Sequence, residues 1–194
     1  PPFFHFPTTS RLETIHIDLV GPLRNDRGFE YILIMLDRAS RWPEAVALKS
    51  IDSETIYRTF SSTWICRFGA PKHIITDQGR QFESELFNKL VENIGATRIH
   101  TSAYHPQSNG SIEHFHRTFK TSLKILTDRD NRWVDVIPFG LFGWRNTPNT
   151  TTETSPTQAL YGTSIRFLTD LTDCNVTPSD WDILNARKRF LDQD

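Results

Sequence analysis

Cysteine, methionine and long apolar runs are scarce in this chain of 194 residues, and neither sign of charge prevails. Its two cysteines, Cys66 and Cys174, are too few for a disulfide framework and too far apart for a zinc spacing, so a reducing compartment is expected. The longest apolar run, Tyr31–Leu36, falls well short of the roughly 20 residues of a membrane-spanning helix. That excludes a membrane-spanning reading. Pro1-Pro2-Phe3-Phe4-His5 has neither the basic start nor the small-residue cleavage site of a signal peptide. With no methionine at its start, the chain reads as a piece of a longer one. Lys and Arg number 22 against 23 Asp and Glu, a net charge of −1. This balance argues against clamping a polyanion by bulk positive field, so any such partner must be held by a local patch. The 37% hydrophobic and 23% charged residues suit a globular domain and fit neither a disordered tail nor a fibre.

Such a patch is present. Between Arg98 and Arg132 six basic residues (Arg98, Arg117, Lys120, Lys124, Arg129, Arg132) face three acids, Glu113, Asp128 and Asp130. From Asp170 onward the balance reverses, with six Asp against Arg187, Lys188 and Arg189. The middle of the chain is where a polyanion would bind.

Hydrophobic periodicity places strands first. Thr14–Val20 alternates, with Ile15, Ile17 and Leu19 on one face and His16 and Asp18 on the other. Tyr31–Asp37 is apolar almost throughout, as in a strand buried on both faces, and Asn25-Asp26-Arg27-Gly28 supplies a hairpin turn between the two. Glu44–Leu48 suits a third, edge-like strand. Ile56, Phe60 and Trp64 then recur every fourth residue, in a helix capped by Asp52 or Ser53 and stopped by Gly69 and Pro71. His73–Thr76 reads as a strand, Leu86, Phe87, Leu90, Val91 and Ile94 as a helix, and Thr97–Thr101 as another strand. Ser102–Gly110 is loop-like, and its composition argues mobility. A helix follows on Ile112, Phe115, Phe119, Leu123 and Leu126, and another on Trp133, Ile137, Leu141 and Trp144 that Pro138 should kink or interrupt. Ser155-Pro156-Thr157-Gln158 is a capping box opening a helix that Gly162 closes. This order predicts an α/β domain with a five-stranded mixed sheet, three strands joined as hairpins and two added by crossovers. The domain is expected over residues 10–166, between a linker at 1–9 and a linker or further segment at 167–194.

Three acids stand out on this scheme. Asp18 lies within the first strand, Asp77 where the fourth strand ends, and Glu113 in the first turn of the helix after Gly110. Each alone has an ordinary explanation, as a solvent-facing strand residue, a turn former and a partner for the helix dipole. Carboxylates gathered near strand ends repel one another unless a cation sits between them, and Mg²⁺ favours such oxygens. The spacing adds weight, because 35 residues separate Asp77 from Glu113.

The blocks around these acids are His16-Ile17-Asp18-Leu19-Val20-Gly21-Pro22-Leu23, Asp37-Arg38-Ala39-Ser40-Arg41-Trp42-Pro43-Glu44-Ala45, Phe68-Gly69-Ala70-Pro71 and Thr76-Asp77-Gln78-Gly79. The longest runs from Tyr104-His105-Pro106-Gln107-Ser108-Asn109-Gly110 to Ser111-Ile112-Glu113 and on to His116-Arg117-Thr118-Phe119-Lys120. In these blocks the chain resembles the catalytic core of retroviral and retrotransposon integrases, in particular those of gypsy-type long-terminal-repeat elements. The resemblance implies an RNase H-like fold and a polynucleotidyl transferase that performs 3′-end processing and strand transfer with two Mg²⁺ or Mn²⁺ ions. Asp18 would then bridge both metals, with Asp77 holding one and Glu113 the other. His114 departs from the family, which more often has Arg there.

Arg117 and Lys120 follow Glu113 at four and seven residues and Lys124 at eleven, so the helix presents them on one face to DNA phosphates. His105, Gln107 and Asn109 in the preceding loop are expected DNA contacts as well. The partners implied are the element's DNA ends, target DNA and further copies of the chain as a dimer or higher oligomer, with no membrane. The site of action implied is the nucleus, after a cytoplasmic particle. Two other readings use the same residues: a domesticated or inactive module that binds DNA or protein, and an RNase H-type nuclease.

Overall fold

The computed structural model describes residues 10–77, 79, 81–100, 114, 115, 117–121, 123, 132–149 and 153–165. Five strands form one sheet: β1 (Thr14–Val20), β2 (Tyr31–Asp37), β3 (Pro43–Leu48), β4 (His73–Thr76) and β5 (Thr97–His100), in the order β3-β2-β1-β4-β5. β1 pairs antiparallel with β2, and β2 with β3, whereas β4 runs parallel to β1 and β5 parallel to β4. The helices are α1 (Ser53–Phe60), α2 (Cys66–Phe68), α3 (Glu85–Asn93), α4 (Trp133–Asn146) and α5 (Pro156–Tyr161), and the described residues between 114 and 123 are also helical. Among the described residues, no helix is long and apolar enough to cross a membrane.

Local chemistry explains most boundaries. Arg27 and Gly28 both take positive φ between Asp26 and Phe29, which exchange backbone hydrogen bonds of 3.0 and 2.9 Å in a tight two-residue turn. Asp26 does more. It is buried, and its carboxylate accepts from the Val134 N–H at 2.9 Å, capping α4 from a distant part of the chain. Asp52 caps α1 by accepting from the Thr55 N–H at 2.9 Å, and Ser84 caps α3. Ser155 and Gln158 form the reciprocal capping box that the sequence predicts. Gly21 is required by close approach, since a Cβ there would lie 2.5 Å from the Tyr31 ring and 2.7 Å from the Glu30 carbonyl.

The sheet is covered on both faces. Ile15, Ile17, Leu33, Met35 and Ile74 pack with Ile56, Phe60, Trp64, Phe87 and Leu90 of the helices on one side. Val20, Ile32, Ile34, Leu36 and Ala45 pack with Phe115, Phe119, Leu123, Val136, Ile137 and Leu141 on the other. β2 alternates between the two, which is why it reads as an unbroken apolar run.

Three expectations need correction. A π-helical turn, Ser61–Ile65, joins α1 to α2. Four-residue steps overshoot a 3.6-residue period by about 40° each, and the wider turn lets Ile56, Phe60 and Trp64 all face the core. Of the two outcomes expected at Pro138, interruption does not occur, since α4 is one helix from Trp133 to Asn146. One missing backbone bond costs about 3 kcal/mol, less than the burial of Trp133, Val136, Ile137 and Leu141 at roughly 1.5–3 kcal/mol each. Leu86 is only half-buried, and Phe82 from the preceding turn fills the core position instead, edge-on to Phe87.

Two long-range ties close the structure. Arg11 donates to the Ala159 and Leu160 carbonyls at 3.1 and 2.9 Å, joining the start of the described chain to α5. Glu44 on β3, 4% exposed, accepts from Trp42 Nε1 at 3.1 Å and pairs with Arg67 at 3.0 Å and Arg145 at 2.8 Å. Arg145 also lies 4.3 Å over the Trp42 ring and donates to the Pro43 carbonyl on the edge strand. Removing the acid leaves the largely buried Arg145 guanidinium without its carboxylate, while Arg67 stays half in solvent, so Glu44→Ala should cost about 3 kcal/mol, read as a lower urea midpoint, and Glu44→Gln should cost less.

Candidate active site

Strand pairing brings the first two acids together. Thr14, Ile15 and His16 of β1 lie beside His73, Ile74 and Ile75 of β4. Two residues further along each strand come Asp18 and Asp77, on the same face as His16 and Ile75 because side chains alternate with period two. This face is not open to solvent along its length. It is the one covered by Phe115, Phe119 and Leu123, so Asp18 is half-buried rather than simply turned outward.

The environment of Asp18 follows from that placement. Its Oδ1 accepts from the Leu19 N–H at 2.8 Å. Burial pushes its carboxyl up to about 6; the Leu19 bond opposes this, the charge of Asp77 adds to it, and Lys120 draws it back down. Asp77 is exposed at the end of β4, and its Oδ1 accepts from the Gly79 N–H at 3.0 Å. A Cβ at Gly79 would sit 2.9 Å from that same oxygen and 2.3 Å from the Gln81 amide, side-chain ends that would have to move aside. Lys120 and Arg117 are exposed on the helix whose buried side is Phe115 and Phe119. Of the two, Lys120 acts on the Asp18 carboxylate by its charge.

Two carboxylates that repel each other, one half-buried and one exposed, suit a hard divalent cation. Among the described residues no three metal-ligating side chains are grouped, and Glu113 lies outside the described residues, as do Lys124, His105, Gln107 and Asn109.

Known proteins match in the same region. Residues 9–106 match the family described as integrase core domain. The chain belongs to that family. Its relatives include the Gag-Pol polyprotein of avian reticuloendotheliosis virus, 31% identical over 147 residues, covering 75% of this chain and 13% of the polyprotein. The Pol polyprotein of radiation murine leukemia virus (strain Kaplan) is 34% identical over 139 residues, covering 70% of this chain and 23% of the relative. The chain thus spans less than a quarter of the length of either polyprotein. In structure it is similar to the catalytic core domain of BIV integrase, with a TM-score of 0.61 at 17% identity over 76% of this chain and 92% of that one. The five-stranded mixed sheet flanked by helices is that of an integrase catalytic core, the RNase H-like fold that the resemblance implied.

Sequence reasoning did not find the buried acids Asp37 and Glu44 as organisers. Asp37 reads in sequence only as the last residue of a strand, yet it is fully buried and holds the Leu12 and Ser40 N–H groups. Glu44 meets partners on two helices remote in sequence, which no local pattern reveals.

The raised pKa of Asp18 has a testable sign. A carboxyl whose folded pKa exceeds its unfolded value near 3.8 favours the fold while neutral, and that contribution is lost as pH rises through about 6. In metal-free buffer Asp18→Asn, neutral throughout, should be more stable than wild type by up to about 3 kcal/mol near pH 7.5. The gap should close near pH 4. Urea unfolding of both proteins across this range is the measurement, and a pH-independent difference would contradict the placement.

Proposed function

We propose that this chain is the catalytic core of an integrase of a gypsy-type element, a polynucleotidyl transferase that processes the 3′ ends of element DNA and joins them to target DNA. The observation that carries the reading is the parallel β1–β4 pairing that sets Asp18 and Asp77 side by side on one sheet face. Asp18 and Asp77, with Glu113 as the third acid, would hold two Mg²⁺ or Mn²⁺ ions. When bound, these supply activation of the attacking oxygen and stabilisation of the leaving one during in-line displacement.

The chain's own residues do the rest. Half-burial keeps the Asp18 carboxylate poorly hydrated, which raises its demand for a cation. Lys120 offsets part of the negative charge and, with Arg117, offers phosphates a point of attachment that the nearly neutral whole does not. Lys124 and the loop residues His105, Gln107 and Asn109 extend this attachment in the proposal. The partners are element DNA ends, target DNA and other copies of the chain, and the place of action is the nucleus.

The deciding experiment is a strand-transfer assay with Mg²⁺ and with Mn²⁺. Wild type should join ends, and Asp18→Asn, Asp77→Asn and Glu113→Gln should each abolish joining. Activity that survives Asp77→Asn would refute the reading. Millimolar Mg²⁺ or Mn²⁺ should also raise the melting temperature of wild type by mass action, a gain absent from Asp18→Asn and Asp77→Asn. Lys120→Ala should weaken DNA binding and lower the slope of log affinity against log salt by about 0.9, with melting temperature nearly unchanged.

A further inference from the structure

Gln81 has no part in the catalytic reading, yet its side chain lies against one of the two carboxylates. The point where a Cβ would stand on Gly79 is 2.3 Å from Gln81 Nε2 and 2.9 Å from Gln81 Cδ, and it is also 2.9 Å from Asp77 Oδ1. The carboxamide is therefore folded back over Gly79, in the space that a side chain would take there. Asp77 Oδ1 borders the same small space.

The backbone beneath it is fixed. The Phe82 and Glu83 N–H groups both donate to the Gly79 carbonyl, at 2.9 and 3.2 Å, and Ser84 Oγ donates to the Gln81 carbonyl at 3.0 Å. Phe82 is fully buried against Phe87, and Arg98 on β5 donates to the Phe82 carbonyl. Gln81 thus stands on a turn held from several sides, and only its side-chain torsions can choose a direction.

That direction has a cost. Gln81 is half-buried, which takes rotamer freedom from a long side chain, and among the described residues its carboxamide makes no hydrogen bond that would offset the loss. A glutamine turned out to water would avoid it. What the folded-back position offers is an N–H2 group, a pair of donors with partial positive charge, beside a carboxylate.

Asp77 is the carboxylate that needs such a neighbour. It is exposed at the end of β4, and among the described residues its one hydrogen bond comes from within its own turn, from the Gly79 N–H to Oδ1 at 3.0 Å. One bond to one oxygen leaves the group able to turn about its axis, so a cation must freeze it on binding, at an entropic cost. Asp18 differs, because it is half-buried as well as bonded to the Leu19 N–H.

We propose that Gln81 is a positioning residue for Asp77: its N–H2 group steadies Oδ1 against the Gly79 N–H, so that Oδ2 is presented to a divalent cation. Groups that orient a ligating carboxylate change metal affinity by about tenfold or more without touching the metal. For its cation the role rests on the integrase reading, but it fails separately from it.

The test is the melting temperature of the whole chain, without DNA, across titrations of Mn²⁺ and of Mg²⁺, with a chelator-treated sample as the metal-free point. Gln81→Met keeps the length of the side chain and removes the donors, and Gln81→Ala removes both. Each should leave the metal-free melting temperature at or above wild type and move the onset of metal stabilisation to about tenfold higher concentration. If both variants follow the wild-type titration while Asp77→Asn abolishes it, the role of Gln81 is refuted and the integrase reading stands. If Gln81→Met behaves as wild type and only Gln81→Ala weakens the response, the side chain acts by filling space and the proposal falls. It falls also if either variant lowers the metal-free melting temperature together with the metal response, since Gln81 is then part of the turn's own structure. An Asp77→Asn protein with a full metal response would overturn the cation site and the role of Gln81 together.

Discussion

The parallel pairing of β1 with β4 is the constraint on which the rest depends. It sets beside each other two carboxylates that are 59 positions apart in the chain, a separation no local interaction could bridge. Because side chains alternate along a strand, a slip of one residue in β4 would turn Asp77 to the opposite face from Asp18. Ile74 and Ile75, buried on opposite sides, resist that slip, since either one displaced would exchange a packed site for another already filled. The helices on both faces are thus the means by which register is held.

Much of this was legible beforehand. β1, β2 and β4 begin and end where alternation, an apolar run and flanking turn residues placed them, since each boundary is set by residues within a few positions. The capping box at Ser155 is local in the same sense. The π-helical turn and the unbroken passage of α4 through Pro138 were not legible, because both are decided by tertiary burial that outweighs local preference. For the site, sequence placed Asp18 on the face away from the Ile15 and Ile17 stripe, which is correct, but not the second apolar layer over that face. Half-burial of Asp18, and with it the rise in its pKa, exists only once Phe115 and Phe119 arrive from a helix about a hundred residues away.

Buried charge is handled in two ways. At Glu44 the negative group is enclosed by two guanidiniums and an indole N–H, so the charges satisfy one another and tie two helices to the edge strand. At Asp18 and at Arg41 the neighbours include like charges, Asp77 and Arg38 respectively. The first arrangement spends electrostatics on holding the fold. The second sets like charges beside one another, at the cost of stability.

The link from Arg11 to the carbonyls of Ala159 and Leu160 ties the two ends of the described fold to each other. It places the entry and exit of the described fold at one corner, beside Leu12, whose N–H is held by Asp37 at the end of β1 away from Asp18. A pull on either end of the described fold therefore loads the same pair of bonds first, at the end of β1 away from Asp18, and reaches the sheet only after they give way.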